Sequence, residues 1–155
     1  MDRPISNGLR TAFLVHLVIG AVLGAALYLV PGRTLNLLGW VPDWVQLPNT
    51  DQNIPGQTFV DPVVTRILGA ALLALAFSSL RGWLGSAPAR KWSEVALLVE
   101  LETIFNALGA IAILFGAFLI GQRMQAGMPL IGWVLFVVQI AFAVTFGLAW
   151  RQSRS

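Results

Sequence analysis

Four long apolar stretches, each broken by a few polar residues and separated by turn-rich polar segments, set the pattern of this chain. The first, residues 9–30, is interrupted only by Arg10, Thr11, His16 and Tyr28 and closes on Pro31-Gly32. The second opens on Asp61-Pro62, with Asp suited to the N-cap and Pro to the first helical position, and runs to residue 80. The third covers residues 92–120 with Glu100, Glu102 and Asn106 inside it, and the fourth runs from Pro129 to residue 150. Runs of this length and apolarity predict membrane-spanning helices, with spans expected at 9–30, 62–80, 92–120 and 129–150. The first is too long for the ~7–15-residue core of a signal peptide. At ~1.5 Å per residue the third is ~43 Å long against a hydrocarbon core of ~30 Å, so it must tilt or project.

Residues 31–60 form the one long connection. Leu35, Leu38, Val41, Trp44 and Val45 recur near helical spacing, and Trp40 and Trp44 suit a headgroup interface. The expectation is a short surface helix followed by an irregular loop capping the bundle. The sequence thus predicts an all-α integral membrane four-helix bundle, a single domain over 1–155.

Composition agrees with this reading and removes others. The chain is 57% hydrophobic and 11% charged, against about 25% charged in soluble domains. The absence of cysteine removes disulfides, thiolate metal sites and cysteine nucleophiles. The pI near 10.6 comes from arginines at helix ends, which membrane orientation explains without nucleic acid. Arg3, Arg10, Arg81, Arg90, Lys91, Arg151 and Arg154 fall on one side, leaving Arg33 and Arg123 on the other. The positive-inside rule then places both termini in the cytoplasm of a bacterial inner (plasma) membrane. Trp83, Trp92 and Trp150 on that side, and Trp40, Trp44 and Trp133 on the other, form two aromatic belts.

Ionisable groups at membrane depth are the candidates for function. Helical rise puts Glu102 near the midplane, Arg66 and Asn106 at similar heights, His16 level with Glu100, and Gln139 near the middle. Glu102 and Asn106 share a face, whereas Glu100 lies about 200° round the same helix, so the two carboxylates form no dyad. A charge at the bilayer centre costs ~2.5–3.5 kcal/mol on insertion scales, which an Arg66–Glu102 pair flanked by Asn106 would offset. The expected interior network is therefore Arg66, Glu102, Asn106, His16 and Gln139. Glu100 is expected to meet His16, face a partner subunit or relay protons. A lone histidine is read as a hydrogen-bonded core residue rather than a haem ligand, and diverging glutamates argue against a metal site. Gly20 and Gly24 form a GxxxG that, with Gly69, Ala70, Ala71 and Gly116, marks close helix contacts. Ser78 and Ser79 are expected to bond back to their own helix. The second of two GA-rich segments, after Leu108, echoes the first, after Ile19, as in a repeat of two helices each.

The run PGRTLNLLG from Pro31 to Gly39 and the run DPVVTRILGA from Asp61 to Ala70 resemble small bacterial four-helix membrane proteins of the DoxX-like group. That resemblance implies the bundle and no particular activity, and the long 31–60 connection departs from it. No phosphate-loop, dinucleotide, zinc-protease or serine-hydrolase motif is present. Three functions fit: a non-catalytic accessory or assembly subunit, a site for an apolar lipid or quinone-like ligand, or a small oligomeric transporter or channel with a carboxylate relay. The first is the leading expectation, with no cofactor, and with the lipid bilayer and other membrane subunits or further copies of this chain as partners.

Overall fold

The structure, a computed structural model, describes residues 5–84, 91–124 and 128–154, with backbone alone at 117, 119–124 and 153–154. Five helices account for most of it: α1 (Asn7–Leu29), α2 (Pro31–Leu37), α3 (Pro62–Trp83), α4 (Trp92–Met124) and α5 (Leu130–Arg154). The fold is all-α, with four helices long and apolar enough to cross a membrane. Only 17–28% of each candidate span is buried inside the molecule, so most of its apolar surface faces outward, as lipid-exposed helices require. This is an integral membrane architecture.

The helix starts follow the local chemistry. Ser6 accepts from the backbone of Leu9 to cap α1, and Asp61 accepts from Val63 and Val64 to cap α3, with Pro62 directly after it. Helix α4 continues to Met124, past the turn expected from residue 121; residues 125–127 lie outside the described residues, as do Arg3 and Arg90 of the charge pattern and the side chains of Arg123 and Arg154.

The bundle consists of two antiparallel pairs. Helix α1 packs along its length on α3, and α4 on α5, while the pairs meet each other over a much shorter stretch. Small residues close the first pair. A Cβ at Gly69 would lie 2.7 Å from the Tyr28 nitrogen and 2.8 Å from the Gly24 carbonyl oxygen, so the backbones touch there and only glycine fits. Gly24 is pressed on the backbone of Gly69 and Leu73 at 3.0 Å, and Gly20, one turn earlier, lies more loosely at 3.3 Å from the Ala76 methyl, as the GxxxG spacing predicts. Arginines tie both ends of this pair: Arg10 donates to the Trp83 carbonyl and Arg66 to the Tyr28 carbonyl, each binding the C-terminal end of the other helix. Among the described residues the second pair lacks this pattern; none of them comes within 4 Å of the Gly116 Cβ position, so the echo between the two halves does not extend to this contact.

The cap holds more order than expected. After α2 it forms a two-stranded antiparallel pair, β1 (Trp44–Gln46) and β2 (Asn53–Pro55), and then a 3-10 turn, Gly56–Phe59. The turn chemistry of Pro48-Asn49-Thr50-Asp51 supplies the reversal, with Asn49 at φ 61°. Gly39, at φ 74°, sits against Pro129 and docks the cap on the start of α5. At the opposite end, which carries the start of α1 and the end of α5, the two pairs share an apolar core of Leu9, Phe13, Val95, Val99, Phe142 and Phe146, with Trp83, Trp92 and Trp150 packed around it.

Candidate functional site

Just above that core, towards the cap, the seam between the two pairs is polar. The buried face of α1 runs Leu9, Phe13, His16, Gly20, Gly24, and that of α3 runs Gly69, Leu72, Ala76, Ser79. Helix α4 adds Glu102 one turn after Val99 and Asn106 one turn further. Each face follows helical spacing, so packing the apolar neighbours brings these side chains to one point.

Three contacts connect them. The His16 Nδ1 lies 2.9 Å from Ser79 Oγ, the Ser79 hydroxyl donates to Glu102 Oε1 at 2.7 Å, and Glu102 Oε2 stands 3.2 Å from His16 Nε2. Ser78 Oγ lies 3.4 Å from Oε1 and donates chiefly to the Leu75 carbonyl at 2.8 Å. Asn106 donates to the Glu102 backbone carbonyl at 2.7 Å, one turn along α4. The His16 ring packs edge-on against Phe142, with centroids 4.9 Å apart, so α5 closes the fourth side. Glu102 and Ser79 are 0% exposed, Asn106 1% and His16 5%, which seals the cluster from bulk solvent and lipid alike.

Proton arithmetic constrains the cluster. A closed ring of three contacts takes one proton on each, and imidazole, hydroxyl and carboxylic acid supply three with no net charge. Imidazolium, hydroxyl and carboxylate supply the same three. A ring closed in either way is neutral overall, which is what a low-dielectric interior tolerates. The Nε2–Oε2 edge is close but poorly aligned, and Oε2 has no directional hydrogen bond among the described residues.

The residues expected in the network separate accordingly. His16, Glu102 and Asn106 come together, with His16 on Glu102 rather than on Glu100. Arg66 does not join them. It is exposed near the cap end and bonds Tyr28, and thirteen residues of helix, ~20 Å, separate it from Ser79. The expected Arg66–Glu102 pair fails because an arginine one turn inside a helix end reaches the interface and a free helix carbonyl at less cost than the interior. Glu102 also lies nearer the termini than the midplane, level with Ser79 one turn from the end of α3. Gln139 packs its amide on Gly109, two turns along α4 from Glu102, and its buried Oε1 has no partner among the described residues. Glu100 is half-buried on another face and makes no hydrogen bond or ion pair with any described residue.

Ser79 is the member that sequence reasoning assigned elsewhere. Its signal is positional: Gly69, Leu72, Ala76 and Ser79 continue one stripe, whereas Ser78 lies off it and does bond back to its own helix. Among the described residues, no three histidine, aspartate or glutamate side chains converge as a metal site. The three cavities described all lie in the cap: two beside the strand pair, of about 480 and 420 Å³, and one of about 280 Å³ under Trp40 and Phe59.

No family model, curated protein or solved structure matches the chain.

Proposed function

We propose that this integral membrane protein is a non-catalytic accessory or assembly subunit of a larger complex in a bacterial inner membrane, with both termini in the cytoplasm. Glu100 carries the proposal. It is a half-buried carboxylate within a candidate span, without a partner among the described residues, and an ionisable group inside a span calls for a donor to meet it. Beside it runs an outward stripe of Leu97, Leu101, Ile104, Leu108, Ile111 and Phe115, spaced alternately four and three residues apart. That spacing suits a neighbouring helix as well as lipid. The sealed His16–Ser79–Glu102 cluster serves here as the clamp that holds the two helix pairs in register. The DoxX-like resemblance of residues 31–70 fits, since it implies a bundle without a particular activity.

The chain has no cysteine, so single-cysteine crosslinking is clean. Ile104→Cys in native membranes is expected to crosslink to a second copy or another subunit, and Glu100→Leu to weaken that association. A strictly monomeric protein with no crosslinked neighbour would end this reading.

A second reading, an oligomeric transporter or channel with a proton relay, draws on the 3.2 Å approach of His16 Nε2 to Glu102 Oε2. Proton flux into liposomes that survives both Glu100→Gln and Glu102→Gln would dismiss it.

A further inference from the structure

The cap carries a second feature that the proposed role does not use. The cavity of about 420 Å³ is lined by Arg33, Asn36, Leu37, Asp43, Trp44, Pro55 and Gln57. Its size falls in the range of small-ligand sites. Arg33 and Asp43 carry opposite charges on this one surface, yet no ion pair joins them, so they stand more than 4 Å apart. Asp43 is held in place instead: the Asn36 amide donates to its Oδ1 at 2.9 Å and to the Val41 carbonyl at 3.0 Å, and its own carbonyl accepts from Gly56. Arg33 makes no hydrogen bond with any described residue. A fixed anion and an uncommitted cation, separated across one depression, suit a zwitterion better than an ion of either sign.

Position narrows the chemistry. The cap sits at the ends of the spans, where headgroups lie. Leu37, 85% exposed on the cavity wall, and Trp44, 64% exposed, offer the apolar and amphipathic surface that an acyl chain and its glycerol take. We propose that this cavity binds the headgroup of a phospholipid with a phosphodiester next to a primary ammonium. The phosphate is held by Arg33, and the ammonium donates to Asp43 and rests against the Trp44 ring. Trp44 is the one aromatic ring on the cavity wall, so the site favours an ammonium that donates hydrogen bonds over a quaternary one.

The test is native mass spectrometry of the full chain in detergent, titrated with phosphatidylethanolamine, phosphatidylcholine and phosphatidylglycerol at equal concentration. The wild type is expected to retain phosphatidylethanolamine over the other two. Arg33→Gln should weaken that binding about tenfold, the scale of one charge-assisted contact. Asp43→Asn should abolish the preference over phosphatidylglycerol, and Arg66→Gln at the same end should change nothing. Both site residues are exposed, and the amide that replaces the Asp43 carboxylate keeps an Oδ1 for Asn36, so folding is not at stake. Equal retention of all three lipids, or an unchanged preference in Asp43→Asn, would overturn the proposal. Saturation by water-soluble phosphoethanolamine at lipid-like concentrations would overturn its assignment to lipid.

Discussion

Replacing Glu102 by alanine and by glutamine separates a hydrogen-bonded clamp from a charge held for its own sake. Alanine removes an acceptor for Ser79 at 2.7 Å, a weaker one for Ser78 at 3.4 Å, and the 3.2 Å partner of His16. An interhelical hydrogen bond in membrane is worth ~0.6 kcal/mol on average and up to ~1.7, so the short Ser79 bond with two weaker contacts amounts to about 2 kcal/mol. The site is fully buried, so unfilled space adds on the order of 1 kcal/mol at ~24 cal/mol per Å³. The expected loss is therefore ~3 kcal/mol. Glutamine keeps Oε1 for the Ser79 hydroxyl and presents an N–H to a bare His16 Nε2, while Nδ1–H still faces Ser79. Both Ser79 edges survive and the amide can donate where Oε2 makes no directional hydrogen bond, all without charge, so Glu102→Gln should fall within ~0.5 kcal/mol of wild type. Reversible unfolding in micelles, followed by tryptophan emission, reads both variants, because Trp83, Trp92 and Trp150 pack around the adjoining core. If glutamine destabilised as much as alanine, the neutral ring would be wrong. If alanine were silent, the seam would not depend on this cluster at all.

Other outcomes follow from the same geometry. A double-mutant cycle between His16→Ala and Glu102→Ala should give a coupling of about 0.6–1.7 kcal/mol in the same assay, and additivity would deny the contact. Gly69→Ala should cost about 1–3 kcal/mol, since its Cβ meets the backbone of Tyr28 and Gly24, whereas Gly116→Ala should be neutral; equal effects would contradict the tight α1–α3 contact. Arg66→Gln should leave the imidazole nitrogen NMR shifts of His16 unchanged, because the two lie at different ends of the pair; a shift would restore a link between them.

The spans and their starts were legible because periodicity, caps and proline act locally: Asp61-Pro62 opens α3 as its chemistry dictates. The contacts of Gly24 with Gly69 and of Gly20 with Ala76 were legible as well, since only small residues let two backbones come close. Partner choice among the polar groups was not, for it depends on which helices pair and how far each is displaced along its axis. Depth counted from helix starts ignores that α4 begins well beyond the end of α3, and this offset moved Glu102 from Arg66 to His16 and Ser79. Arg66 illustrates a second limit: a long side chain is not confined to the height of its own Cα. The strand pair in the cap went unseen because three-residue strands carry almost no periodic signal.

The reciprocal arginine ties and the glycine contacts of the first helix pair bear on how the protein is made. Residues 7–83 hold every one of these ties within themselves, so the pair can close without α4 and α5 and bring His16 beside Ser79 before Glu102 joins them. Glu102 thus arrives opposite a prepared receptor instead of crossing hydrocarbon alone. A circular permutant that synthesised residues 91–154 first would reverse this order, and its carboxylate would enter the membrane before either of its partners existed.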